Sequence, residues 1–263
     1  AIDPGFDERN VLTLRVSLPV ARYESAVLAN NFWQELRAGV DALPGVDVAG
    51  LVRVLPIGGE MGDAGLFIEG RPVAPGEPGR QADWQAVSPG YFEAMRIPIV
   101  SGRGVDETDT PDGAQVIVIN QTLAHEYFPG EDPIGQQIRL GGQTRPFRTV
   151  VGVVADNHHN GLTAPVKRAF FVPVNQWANS YFIPRLSMSL VARATVDPSQ
   201  LIRPIATLVA RLDPELPLTQ VHSGDTLYTG HRTPGEFAAL LLREIAKPGR
   251  HFVFAYWAGV DML

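Results

Sequence analysis

The chain contains no cysteine, and this absence excludes several kinds of chemistry at once. Disulfides, thiolate nucleophiles, cysteine-ligated zinc and cysteine-ligated iron–sulfur clusters are ruled out over all 263 residues. An excess of basic residues is missing too, because 22 Lys and Arg stand against 28 Asp and Glu, a formal net charge of −6. Nucleic-acid binders normally carry a basic surface, so the composition predicts no nucleic-acid partner.

Long apolar runs are also missing. A membrane-spanning helix needs about 20 mostly apolar residues, whereas the longest apolar runs here are Val150–Ala155, Phe237–Leu242 and Phe252–Ala258. The start of the chain, residues 1–5, has neither the basic nor the apolar region of a signal peptide, and it lacks an initial Met. We therefore expect no membrane span within the chain, and we expect it to be a fragment or a processed product.

Two stretches of similar pattern lie near the two ends of the sequence. Each one predicts a strand, a helix with a single apolar stripe and a second strand, from alternating apolar residues and then three- and four-residue apolar spacing. In the helix of the second stretch Pro204 predicts a kink or a late start, because proline beyond the first turn removes a hydrogen bond. The predicted elements are the strands Val11–Pro19, Val46–Leu55, Leu186–Ala194 and Leu216–Val221 and the helices Tyr23–Leu43 and Pro198–Leu212.

The region between these stretches is rich in predicted strands. One strand–helix–strand unit cannot bury both of its faces, so we expect the two units to share one sheet with both helices on one face. The predicted fold class is therefore α+β, a split ferredoxin-like layer with a small β-rich domain inserted. The predicted middle elements are strands over 66–69, 84–87, 116–119, 138–140 and 149–154, a helical turn starting at Ser88 and a short helix over Asn120–Tyr127.

The most ligand-like cluster is His158 and His159 beside Asp156. Adjacent histidines on a strand point to opposite faces and rarely bind one metal ion, so a solvated polar turn is the preferred interpretation over a metal site. His125 and His222 are isolated in the sequence.

Other candidate residues also have a plainer interpretation that we prefer. The acidic residues could be the paired acids of a hydrolase, but in Gly- and Pro-rich loops we expect solvated turns. The serines lack the GxSxG pattern, and the glycine pairs match no phosphate-binding loop. The aromatic residues could form an exposed partner patch, but core burial is preferred. These candidates are Asp106, Glu107, Asp109, Glu131 and Asp132; Ser88, Ser101 and Ser223; Gly58, Gly59, Gly62, Gly141 and Gly142; and Phe170, Phe171, Val172, Pro173, Trp177, Tyr181 and Phe182.

Three segments together resemble a known family. They read VSPGYFEAMRIPIVSGRGV at 87–105, VIVINQTLAHEYFPGEDPIGQQIRL at 116–140 and TVVGVVADNHHNGLTAP at 149–165. They are similar to the MacB-like periplasmic core domain, the extracytoplasmic domain of permeases in the MacB/FtsX superfamily of ABC transporters. Within that superfamily the sequence most resembles the acidobacterial-type duplicated permeases, and the likeness covers about residues 3–227.

The resemblance implies a porter-type domain over 1–100 and 176–228 with a sabre-type domain inserted over 101–175. We accordingly expect paired crossings between the two domains near 100–105 and 175–185. The family also implies flanking transmembrane helices, an ABC ATPase subunit or domain as partner, a second permease copy, and a place on the periplasmic face of the bacterial inner membrane. It brings no catalytic, cofactor-binding or metal residues, so we predict that the chain is not an enzyme and needs no cofactor.

Residues 229–263 depart from the family pattern, which continues into an apolar transmembrane segment. Six charged side chains between residues 232 and 250 make this stretch costly to place in a bilayer: Arg232, Glu236, Arg243, Glu244, Lys247 and Arg250. Its end, RHFVFAYWAGVDML, resembles a strand of alkaline-phosphatase-like phosphodiesterases in which Asp261 would bind metal. Two alternatives therefore stay open, a soluble hydrolase-related or chimeric protein and a plain periplasmic interaction module.

Overall fold

The computed structural model describes residues 3–57, 61–142, 144–177, 186–216, 220–223 and 253–256. None of the helices in this described part of the chain is long and apolar enough to cross a membrane. Two compact units are present. We call residues 1–7 and 52–183 the central unit, and residues 8–51 and 184–263 the terminal unit.

Strands and helices alternate irregularly along the chain. The strands are β1 (Val11–Ser17), β2 (Val46–Val52), β3 (Asp63–Ile68), β4 (Gln81–Val87), β5 (Ile99–Gly102), β6 (Val116–Asn120), β7 (Gln137–Leu140), β8 (Phe147–Val154), β9 (Ala169–Pro173), β10 (Ser187–Ala194), β11 (Gln220–Ser223) and β12 (Val253–Tyr256). The helices are α1 (Ala26–Asp41), α2 (Tyr91–Ala94), α3 (Gln121–Tyr127), α4 (Val174–Trp177) and α5 (Ile202–Leu212), the last preceded by the 3₁₀ turn Pro198–Leu201.

The terminal unit is built from the two strand–helix–strand stretches that the sequence predicted. Its strands lie in the order β11, β12, β1, β10, β2, so β10 lies between the two strands that flank α1. β10 runs antiparallel to β1, from Val11 opposite Arg193 to Ser17 opposite Ser187. The predicted elements are confirmed here to within a few residues at each end, except that 217–219 lie outside the described residues.

The helices of the terminal unit start where local chemistry favours a start. Ser25 caps α1, and its hydroxyl accepts a hydrogen bond from the backbone N–H of Leu28 at 3.2 Å. The predicted late start of the second helix is confirmed, because Pro204 lies in the first turn of α5, where its missing N–H is tolerated. The predicted apolar stripe of α1 is buried at Phe32, Leu36 and Val40. Leu28, the first apolar residue of the same predicted spacing, is half-exposed instead.

The central unit is a closed ring of six strands in the order β4, β3, β7, β8, β6, β9 and back to β4. The β8–β6 and β4–β9 contacts are parallel, and the other four are antiparallel. β5 pairs with β8 beside this ring. The sequence predicted five of the strands and α3, but it did not predict β5 or β9 as strands.

The helical turn predicted to start at Ser88 starts later. Gly90, with φ of 80°, is the N-cap of α2, and the Ser88 hydroxyl donates to the carbonyl of Pro89 at 2.8 Å. Ser88 was therefore wrongly expected to be the helix start.

The unit boundaries fall at 7/8, 51/52 and 183/184, and they differ from the predicted domain limits of 1–100, 101–175 and 176–228. β3, β4 and α2 belong to the central unit because β4 pairs with β9 and completes the ring. Residues 100–105, expected to form a crossing, lie inside this unit. The porter and sabre assignments stay a prediction.

Candidate functional site

An open groove of about 620 Å³ lies on the central unit between α3 and β5. β8 forms its floor through Val153, and Asp156, two residues beyond the end of β8, is also in the lining. The groove is lined by Val100, Ser101, Gln121, Thr122, Ala124, His125, Glu126, Pro133, Val153 and Asp156. Its walls are therefore partly apolar, with polar groups supplied mainly by α3.

The start of α3 is fixed by two side chains that precede and face it. Asn120 ends β6 and caps α3, accepting from the N–H of Leu123 at 3.0 Å and from that of Ala169 at 2.8 Å. Asp156 accepts from the Asn120 amide at 2.7 Å, and from the Thr122 N–H at 3.0 Å and hydroxyl at 2.7 Å. Among the described residues all three donors to the Asp156 carboxylate are neutral, so they hold it by hydrogen bonds and not by an ion pair.

A bulge in β5 shapes the opposite wall. Ile99 lies opposite Val154 and Ser101 lies opposite Val153, so Val100 has no opposite residue in β8. The bulge turns Val100 outward, where its side chain is 50 % exposed and lines the groove. Gly102 follows with φ of 68°, and a Cβ there would lie 2.2 Å from the carbonyl oxygen of Val151, so only glycine fits.

The histidine cluster does not converge on one point. The backbone N–H of His158 donates to the Pro4 carbonyl at 2.9 Å, and its ring Nδ1 lies 3.2 Å from the Ala164 carbonyl. His159 is buried, and its Nε2 lies 3.3 Å from the Asn157 amide. Burial, and secondarily the charge of Arg53, lowers the pKa of His159 from 6.5 to about 4. Among the described residues, no group of three His, Asp or Glu side chains is placed to hold a metal ion.

One of the acidic clusters is not the solvated turn that the sequence favoured. Asp109 is buried, and Arg103 binds its two carboxylate oxygens at 2.8 and 2.7 Å while the backbone N–H of Asp106 donates to it at 2.9 Å. Hydrogen bonds from Thr108, foremost from its hydroxyl, lower the pKa of the neighbouring Asp106. The cluster closes a loop by an internal ion pair, and Glu107 is exposed beside it. The sequence could not identify this partner of Asp109.

The remaining candidates are dispersed. Glu131 pairs with Arg71, while Asp132 accepts from the N–H of Ile134 at 2.9 Å. Ser101 and His125 line the groove, whereas Ser223 and His222 lie on β11. Gly141 and Gly142 form the turn between β7 and β8, and Gly62 has φ of 79°. Gly58, Gly59, Tyr181, Phe182 and Asp261 fall outside the described residues.

Core burial of the aromatic cluster is confirmed where it is described. Phe170, Phe171 and Val172 lie in β9 and are buried, as is Pro173 at its end. Trp177 stacks on Trp84, with ring centroids 4.0 Å apart and planes 4° from parallel. β9 closes the ring of strands, and Phe170, Phe171 and Trp177 are buried and form no exposed aromatic patch.

The sequence did not predict the groove itself. It presented Asp156 as a candidate metal ligand, but the structure shows it fixing the start of α3. The only local signal for the second wall was the pair of glycines at 102 and 104, because glycine inside a strand pattern often marks a bulge.

Comparison with known proteins identifies relatives of the chain. It is 38% identical over 64 residues to the macrolide export ATP-binding/permease protein MacB of Neisseria gonorrhoeae, which is 24% of this chain and 10% of that protein. It is 39% identical over 77 residues to a probable export ATP-binding/permease protein of Pseudomonas fluorescens, 29% of this chain and 11% of that protein. The matched segments thus span about a tenth of these relatives' length.

A solved structure shares the fold. The periplasmic region of MacB from Actinobacillus actinomycetemcomitans aligns with a TM-score of 0.54 at 14% identity, covering 93% of this chain and 96% of that one. The profile described as the MacB-like periplasmic core domain matches residues 14–215, most of both units. The chain therefore belongs to the family of MacB-like periplasmic core domains.

Proposed function

We propose that the chain is a non-catalytic extracytoplasmic domain of an ABC-type permease, and that it transmits conformational change driven by a cytoplasmic ATPase. The observation that carries this proposal is the family match over residues 14–215. The relatives named as ATP-binding/permease proteins support the ATPase as partner. In this proposal the domain lies on the periplasmic face of the inner membrane, and its porter- and sabre-type parts correspond to the terminal and central units.

The packing of the terminal unit supports a mechanical role. An ATPase in the cytoplasm cannot contact material in the periplasm, so its work requires a body that moves without deforming. α1 and α5 pack closely enough that a Cβ on Gly39 would lie 2.7 Å from a methyl carbon of Leu208. Close-packed interiors of this kind have low compressibility and transmit displacement.

The test is made in the complete permease that contains this domain, reconstituted with its ATPase. We expect Leu208→Ala to leave ATP hydrolysis intact while export falls, because truncating a buried leucine costs about 2–5 kcal/mol and loosens the unit. Leu28→Ala is the matched control, since Leu28 is 50 % exposed and Leu208 is 6 % exposed. Erythromycin serves as the exported probe, because several relatives are named macrolide export proteins.

Two results would contradict the proposal. One is unimpaired export by a permease from which residues 14–215 have been deleted. The other is an equal loss of export in the Leu28→Ala and Leu208→Ala variants at equal membrane levels, which would show that packing of the terminal unit is irrelevant.

A further inference from the structure

We propose that the groove between α3 and β5 binds a basic segment of another polypeptide in extended conformation. This site is additional to the mechanical role proposed above and does not depend on it. It is assigned from the shape, the apolar walls and the charge of the groove.

The shape of the groove favours a chain segment that lies across its floor. With about 620 Å³ and an open mouth, it can accept several side chains. The bulge at Val100 interrupts the pairing of β5, and bulges on edge strands disfavour the addition of a further strand. We therefore infer that the occupant binds through its side chains and not by extending the sheet.

The apolar part of the lining selects an amphipathic segment. Val100 on one wall, Ala124 on the other and Val153 in the floor present aliphatic surface to the groove. An extended chain directs alternate side chains to opposite faces, so every second residue can contact this surface. Pro133 extends the apolar lining.

The charge of the groove selects basic residues. Asp156 and Glu126 are both in the lining, to which the described part of the chain contributes no Lys or Arg. A carboxylate has about four acceptor positions, and Asp156 uses three of them for neutral donors, so an ammonium or guanidinium group can take the fourth. Glu126 is bound at 2.9 Å by the exposed Arg168, which limits its contribution. Asp156 is therefore the main determinant.

The test uses the chain itself and a fluorescein-labelled octapeptide of alternating lysine and valine, with binding followed by fluorescence anisotropy at low salt. Ser101→Lys places a competing ammonium group at the groove, on an exposed strand position. Ala74→Lys makes the same change of charge on an exposed loop that does not line the groove. We expect Ser101→Lys to weaken binding about tenfold and Ala74→Lys less than about twofold.

A second variant removes the acceptor. Asp156→Asn should weaken binding of the lysine–valine peptide about tenfold. The thermal unfolding curve of this variant shows whether the start of α3 is retained. Three results would overturn the proposal: equal weakening by Ser101→Lys and Ala74→Lys, equal binding of a glutamate–valine octapeptide, or binding of acetyl-lysine amide as tight as that of the peptide. The first result would show that the peptide is attracted only by the net negative charge of the protein. The last would show that the groove binds an amine and does not recognise a polypeptide.

Discussion

At the scale of single residues, His159 links stability to pH. Its pKa is lowered to about 4 by burial and by Arg53, so between pH 6.5 and 4 the unfolded chain takes up a proton that the folded chain does not. The contribution of His159 to the free energy of unfolding should therefore be fully present above pH 6.5, and it should be lost as the pH drops towards 4. This pKa difference corresponds to a loss of about 3 kcal/mol.

Urea unfolding from pH 7.5 to pH 4 measures this loss. His159→Gln should flatten the pH profile, because the side chain no longer titrates. His158→Gln is the matched control, since it makes the same change at the neighbouring, less buried position. An unaltered slope in His159→Gln would assign the pH dependence to other groups.

A pair of carboxylates supplies a second prediction at this scale. Asp63 lies directly opposite the buried Asp83 on β3 and β4. Burial, followed by the hydrogen bond with Asp63, raises the pKa of Asp83, although Asn160 at 3.1 Å and Lys167 at 3.7 Å favour its charged form. A raised pKa means that Asp83 contributes stability at low pH, and that this contribution is lost as the pH rises through its folded value.

Asp63→Asn should therefore raise the free energy of unfolding at pH 7 by about 0.5–1 kcal/mol, because like charges directly opposite each other in a sheet are destabilising. The gain should shrink as the pH falls through the raised pKa of Asp83, because protonation of Asp83 removes one of the two charges. Asp112→Asn changes the net charge equally on an exposed loop and should give no comparable gain in the same urea titration. Equal gains from both substitutions would point to net charge instead of the pair.

At the scale of elements, the contact of α1 with α5 predicts that Gly39→Ala changes stability in opposite directions in two backgrounds. Gly39→Ala raises helix propensity by about 1 kcal/mol. The added methyl group would also lie 2.7 and 2.9 Å from the two methyl carbons of Leu208, so we expect net destabilisation of about 1–2 kcal/mol. In a Leu208→Ala background the obstacle is gone, and Gly39→Ala should stabilise by about 1 kcal/mol. Chemical unfolding of the two single variants and the double variant measures the coupling, and additive effects would show that the helices are not in contact here.

The same scale shows how much the sequence could predict. β1 with its alternation and α1 with its apolar stripe were predictable because each pattern is local. Gly39 was not identified as a contact point, since its partner Leu208 is distant in sequence. β9 was seen as an aromatic cluster, because its continuous apolar run becomes a strand only through pairing with β4 and β6. The groove likewise depends on a bulge and on long-range pairing of β5 with β8.

At the scale of the whole molecule, a cysteine-free chain allows its rigidity to be tested by a single engineered disulfide. Ser17 and Ser187 are opposite residues of β1 and β10, with their hydroxyl oxygens 3.0 Å apart. The Leu18 N–H donates to the Leu186 carbonyl at 2.6 Å, so the Ser17–Ser187 pair is of the more closely spaced, non-hydrogen-bonded kind. Cysteines at both positions should therefore oxidise to a disulfide with acceptable geometry.

The cross-link joins residues 170 positions apart and should stabilise the terminal unit by about 2–4 kcal/mol. If this unit moves as one body, the proposed function predicts that the oxidised Ser17→Cys/Ser187→Cys permease retains the ATP hydrolysis and the probe export of the reduced form. The Ser17→Cys single variant controls for the substitution and for the oxidant. Export that stops on oxidation and returns with dithiothreitol would mean that β1 and β10 separate during transport. In that case the terminal unit deforms as part of the cycle, and the role of a rigid transmitting body would have to be abandoned.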